Sequence, residues 1–269
     1  MGQVVPLPVS NSRSSQQYPP DGGAEPKLTA PWVDFDTHLA YLQEVWEPGQ
    51  HISLIAPTGR GGKTYMVTRG LLPFFEDFRV LFIDVKDYDA TVTDDKGRQF
   101  FRHNVHRFPS RLQIEAASYP KWFRLHVKSG LAGQSLAQQR DIVYDALRRA
   151  YKQRDWIIVA DEIKFLSDYE GGLRLHAPLR DIWTRGRSSV TLVAMSQFPS
   201  RIPTETYSQA THLYLGRQNA EGNKRLGELA GTIDYKNVRQ ALGNVHKREF
   251  LYIDQSADEP ERTMVITGL

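Results

Sequence analysis

Cysteine is absent from the chain, which excludes disulfides, thiolate zinc sites and cysteine nucleophiles. Long apolar runs are absent too. Stretches such as Trp156 to Ala160 fall far short of the ~20 residues a membrane helix needs, so no integral membrane segment is expected. The N-terminus carries Pro6 and Pro8 but no basic flank leading into an apolar run, so no secretory signal is expected either, and a cytoplasmic location is the default. The histidines are scattered without a His-x-x-x-His pair, so no zinc site is expected. Strong net charge is also missing: +3 over 269 residues does not by itself imply a nucleic-acid partner.

What is present suits one globular α/β domain and a tail, with 40% apolar and 24% charged residues. Residues 1–30 are rich in Ser, Gln, Pro and Gly with almost no apolar periodicity, which predicts a flexible tail. Residues 31–269 form the expected domain. Its charge is unevenly spread. From Arg98 to Lys128 there are seven Lys/Arg (Arg98, Arg102, Arg107, Arg111, Lys121, Arg124, Lys128), three histidines and one acid, Glu115. Such a stretch is either a phosphate-binding patch or a solvated face.

Strand-like and helix-like segments alternate from Trp32 onward. Apolar runs predict strands at Ile52–Ile55, Val80–Val85, Trp156–Ala160, Val190–Met195 and His212–Leu215. Ile142, Val143, Ala146, Leu147, Ala150 and Tyr151 share one helix face within Gln134–Gln153, and Pro178–Thr184 is a second helical stretch. Glu249–Asp254 and Arg262–Thr267, joined by an acidic turn, predict an antiparallel hairpin at one sheet edge. The expected architecture is a mainly parallel sheet with helices on both faces.

The sharpest motif follows the first strand: Ala56-Pro57-Thr58-Gly59-Arg60-Gly61-Gly62-Lys63-Thr64, with a helix expected to begin at Lys63. Small residues let successive backbone N–H groups curl around a polyphosphate, and the helix N-terminus adds partial positive charge. Thr58, Gly59, Arg60, Gly61 and Gly62 would cradle the phosphates of ATP. Lys63 would reach the β- and γ-phosphates, and the Thr64 hydroxyl would ligate Mg²⁺. Counting back from Gly62 puts Pro57 in the usual first-glycine slot; alternatively, Ala56-Pro57-Thr58-Gly59 opens a loop one residue longer. A Gly-rich turn with an incidental Lys-Thr is the competing reading.

Trp156-Ile157-Ile158-Val159-Ala160-Asp161-Glu162 is an apolar strand ending in two carboxylates. Beside a phosphate loop, Asp161 would hold the Mg²⁺ shell and Glu162 would polarise the attacking water. Thr191 to Ser196 is another apolar strand, and the Gln197 after it would sense the γ-phosphate or orient the water, unless it merely caps backbone groups. A strand at Val80–Val85, between the loop and the acidic pair, completes an additional-strand, RecA-like P-loop NTPase. Arg185 and Arg187, before the Gln197 strand, are candidates to stabilise γ-phosphate charge in a neighbouring subunit, with Arg217 a further one.

The segments His51 to Gly59 with Lys63-Thr64, Val159 to Glu162, and above all Arg185-Gly186-Arg187 through Val190 to Gln197 and Ser200 resemble the FtsK–HerA superfamily, including viral genome-packaging ATPases. Phe82-Ile83-Asp84-Val85-Lys86 is similar to that family's second strand. The resemblance spans roughly residues 45–217. It implies a homo-oligomeric ring, usually a hexamer, with ATP between subunits and double-stranded DNA in the pore. A short chain of this kind is closest to a phage or mobile-element motor, with a capsid or mobile-element partner in the host cytoplasm. An assembly or secretion ATPase of the filamentous-phage type, or a non-motor nucleotide-binding module, are the competing expectations.

Overall fold

The computed structural model describes residues 30–57, 62–85, 101, 104–116, 120–127, 133–186, 189–200, 202–229 and 233–268. Among the described residues, nine strands form one sheet: β1 (His51–Ile55), β2 (Arg79–Asp84), β3 (Asn104–Val105), β4 (Trp122–His126), β5 (Trp156–Asp161), β6 (Val190–Ser196), β7 (Ala210–Leu215), β8 (Glu249–Asp254) and β9 (Val265–Gly268). Their order is β3-β4-β2-β5-β6-β1-β7-β8-β9. The first seven pair in parallel, and β8 and β9 add an antiparallel edge. All residues of β1, β5 and β6 are buried, as continuous apolar runs covered on both faces should be.

Helix α1 (Phe35–Val45) covers one face together with a helical segment that runs on from the loop after β1. That segment is α2 (Lys63–Tyr65), a π-helical stretch Met66–Leu71 and α3 (Leu72–Phe74). The widened turn precedes Pro73, which has no N–H for an i−4 carbonyl and whose ring would crowd one in a regular α-turn. On the other face, α4 (Arg111–Glu115), α5 (Leu136–Gln153), α6 (Ile163–Ser167) and α7 (His176–Arg185) lie over β4, β2, β5 and β6. The same face of β7, β8 and β9 is covered by α8 (Glu205–Ser208), α9 (Ala220–Leu229) and α10 (Tyr235–Gly243). In α5, Ser135 and Gln138 form a capping box, and Val143, Ala146, Leu147 and Ala150 face the sheet as their spacing predicts.

Three expectations are corrected. Val80–Val85 falls between the loop and the acidic pair along the chain, but in the sheet β2 lies outside β5; the strand separating β1 from β5 is β6. The second hairpin arm begins at Val265 rather than Arg262, because Pro260–Thr263 form a 3₁₀ turn in which Thr263 Oγ1 donates to Pro260 O at 2.7 Å. Arg124, counted in the basic stretch, is buried in β4 and ion-paired with the fully buried Asp84 of β2. Of the expected tail, Ala30 is half-buried against the α9–α10 core, and 1–29 lie outside the described residues.

Candidate functional site

β1 ends at Ile55 between two neighbours. Ala56 N donates to Ser196 O of β6 at 3.1 Å, and Gly216 N, just past β7, donates to Ile55 O at 2.8 Å. A Cβ at position 216 would come within 2.4 Å of the Ala56 Cβ, so this passage requires glycine. Thr58, Gly59, Arg60 and Gly61 lie outside the described residues. The chain re-enters at Gly62, whose left-handed conformation (φ 67, ψ 13) caps the helical segment, and Met66 N donates to Gly62 O at 2.7 Å. Lys63 and Thr64 are its first residues, each only 8% exposed. The Lys63 amine folds back over the loop entry, donating to Ala56 O at 2.5 Å and lying 3.5 Å from Pro57 O. An ammonium at this depth is costly without such partners. The first N–H groups of a helix also face an anion favourably.

The two acids stand one strand beyond. Asp161, the last residue of β5, is 2% exposed and pairs in register with Met195 of β6. Glu162 turns directly into α6 with φ 109 and ψ 72, and it accepts a hydrogen bond from Ser196 Oγ at 3.4 Å through Oε1. Because β6 alone separates β5 from β1, the two strand ends are about 10 Å apart. Lys63 and Glu162 are thus linked through Ala56 and Ser196 across three adjacent strand ends. The adjacent acids differ in exposure: Asp161 is buried at the end of β5, and Glu162, in the turn beyond it, is half-buried.

Gln197 follows β6 on the same edge, half-buried, with its carbonyl accepting from Gln218 Nε2 at 3.3 Å. Arg217 is exposed just past β7 on that edge as well. Arg185 is not brought to the site. It ends α7, is exposed, lies 3.8 Å from Asp181 and precedes β6 at the opposite end of the sheet, about 20 Å along the strand from Ser196. Arg187 lies outside the described residues. One cation at the site carries no sequence motif: Arg248, at φ 67 in the turn before β8. Its stem lies against Gly62, where a Cβ would meet Arg248 Cγ at 3.3 Å, and its guanidinium is 5.7 Å from the centroid of the Tyr65 ring. Pro57 borders two clefts, one of about 720 Å³ shared with Phe198 and Gln218, and one of about 420 Å³ shared with Arg217 and Lys247.

No family model and no curated protein sequence matches the chain. Solved structures do. The genome-packaging NTPase B204 from Sulfolobus turreted icosahedral virus 2, in complex with ATP-gammaS, superposes with a TM-score of 0.58 and 12% identity, covering 82% of this chain and 98% of that one. B204, the DNA-packaging ATPase from Sulfolobus Turreted Icosahedral Virus, gives 0.58 and 13% over the same shares. VirB4 of Thermoanaerobacter pseudethanolicus gives 0.55 and 13%, covering 77% of this chain and 87% of that one. At such identities a likeness establishes the fold alone, here a mainly parallel α/β sheet with an antiparallel edge that this chain shares with those solved structures.

Proposed function

We propose that the chain is an ATP-hydrolysing motor that translocates or packages double-stranded DNA. The observation that carries this reading is the link between the Lys63 amine and the Glu162 carboxylate across the ends of β1, β6 and β5. A lysine at a helix N-terminus supplies charge for a polyphosphate, and a carboxylate held nearby but apart supplies a base. In this reading Thr58 to Gly62 wrap the phosphates and Lys63 exchanges its carbonyl partners for phosphate oxygens. Glu162 takes the proton of the attacking water as its oxygen bonds to the γ-phosphorus and ADP departs. Gln197 orients that water, and Arg248 adds a cation beside the loop.

The residues present also suit Mg²⁺, which prefers hard oxygen donors: a hydroxyl at Thr64 and a buried carboxylate at Asp161, both at the same sheet edge. When bound, the ion would draw charge from the phosphate oxygens. Arg185 lies too far from its own site to act there, so it or Arg187 serves a neighbouring subunit, which calls for a ring. The DNA substrate is suggested by two of the structural neighbours, a genome-packaging NTPase and a DNA-packaging ATPase. Steady-state ATP turnover of the purified protein and of Lys63→Ala tests the proposal. The variant is expected to lose turnover to background; a variant that turns over ATP at the wild-type rate removes the site.

A further inference from the structure

The fold divides the basic stretch. Arg124 is engaged by Asp84 inside the sheet, whereas Arg111 joins cations from two other elements around a cleft of about 460 Å³. Its walls carry Arg79 at the start of β2, Arg111 on α4, and Arg148, Arg149 and Lys152 near the end of α5, with Glu115 beside them. Glu115 is 2.6 Å from Arg111, and Asp145 lies 3.0 Å from Arg148 and 2.7 Å from Arg149. Five cations therefore meet two carboxylates. Among the described residues, Arg79 and Lys152 make no ion pair.

Cations on the last turn of α5 complement the helix dipole, which accounts for Lys152 in isolation. It does not account for Arg79 and Arg111, which arrive from a strand and another helix. Convergence of like charge on one concavity raises the free energy of the empty cleft and lowers it when an anion binds. Four of the five are arginines, whose planar forks match phosphate oxygens in pairs. The cleft is also remote from the nucleotide site. Arg79 pairs in register with Trp156 at the start of β5, five residues and about 17 Å before Asp161.

We infer that this cleft grips the sugar–phosphate backbone of duplex DNA; the inference rests on the DNA-motor reading above. The test measures binding of a fluorescent duplex to the full chain between about 50 and 200 mM salt, alongside basal ATP turnover. In Arg79→Ala/Lys152→Ala, affinity at the lower salt falls at least about tenfold. The slope of log affinity against log salt shrinks by about 2, one unit per lost phosphate contact. Basal turnover is unchanged. Lys152→Glu, at an exposed position where folding is not at stake, shifts affinity and slope in the same direction, while Arg79→Lys/Lys152→Arg retains the wild-type slope. Wild-type affinity and slope in the alanine pair would overturn the inference yet leave the DNA-motor reading standing, and would point the cleft toward an acidic protein. Loss of basal turnover with duplex affinity intact would reassign the cluster to a neighbour's nucleotide. A wild-type chain that binds no duplex at any salt would end both.

Discussion

Glu162 holds a backbone conformation, φ 109 and ψ 72, that costs a non-glycine residue about 1–3 kcal/mol. The cause is local: β5 passes into α6 without a connecting loop, and Leu166 N already bonds Glu162 O to start the helix. The sharp turn lifts the Glu162 side chain off the sheet edge and toward Ser196, while Asp161 stays buried. Replacing Glu162 by Gln keeps size, turn and the hydroxyl contact but removes the base. Glu162→Gln is therefore expected to retain ATP binding, measured by a fluorescent analogue, and to turn ATP over at least ~100-fold more slowly. Normal turnover in that variant would leave Glu162 without its role. That Lys63, Thr64, Asp161, Glu162 and Gln197 share one end of the sheet was legible in sequence, because their segments follow apolar runs and parallel strands deliver their C-terminal ends to one edge. Arg248 was not legible. It reaches Gly62 only because β8 runs antiparallel and returns the chain to that edge, a fact of topology that no local pattern encodes.

At the scale of elements, the Asp84–Arg124 pair fixes β2 against β4 inside the sheet. Removing Arg124 takes the buried ion-pair partner in β4 from the fully buried Asp84, so Arg124→Ala should cost about 3–5 kcal/mol in urea unfolding. Breaking the exposed Arg111–Glu115 pair by Arg111→Ala should cost far less, and equal losses at the two sites would contradict the burial argument. Helix α1 docks through a second buried polar group. His38 Nε2 lies 2.8 Å from Tyr214 Oη. His212 donates from Nε2 to Gln50 Oε1 at 2.9 Å and accepts from the Tyr252 hydroxyl at Nδ1, 2.8 Å away. Burial pushes the His38 imidazole down to about 3, helped by His212 beside it, and pushes His212 down to about 4 against the pull of Asp254.

Both rings are thus neutral when folded and protonate near 6.5 when unfolded. Their contribution is complete above about pH 6.5 and is lost as pH falls toward about 4 and then 3, by about 1.4 kcal/mol per pH unit for each ring. Urea unfolding at pH 7 and pH 5 should show the decline, with a flatter slope in His38→Phe; stability that rises on acidification would contradict it. These elements mark where pattern reading ran short. β4 reads as a basic stretch because Arg124 and His126 interrupt its apolar residues, and only the partner strand shows that the arginine is paired. Helices α9 and α10 pack chiefly on each other and on β7 and β8, and their charged surfaces hid a narrow apolar stripe of Leu226, Val238, Ala241 and Leu242.

For the whole molecule, the sheet places two chemistries at opposite ends. Lys63, Asp161, Glu162 and Gln197 gather where the parallel strands finish, and Arg185 and the Arg79–Lys152 cleft gather where they start. Parallel architecture and the hairpin edge were legible, since unbroken apolar runs separated by helical stretches admit few other arrangements. The strand order was not, because β6 reaches its place between β5 and β1 by a crossover that sequence spacing does not specify. On the proposed reading, a chain so polarised would couple hydrolysis at one end to a duplex held at the other. The most direct test is the steady-state ATP turnover of the purified protein with and without duplex DNA. The account predicts turnover that rises severalfold on adding the duplex; ATP hydrolysis indifferent to DNA, or none at all, would contradict it.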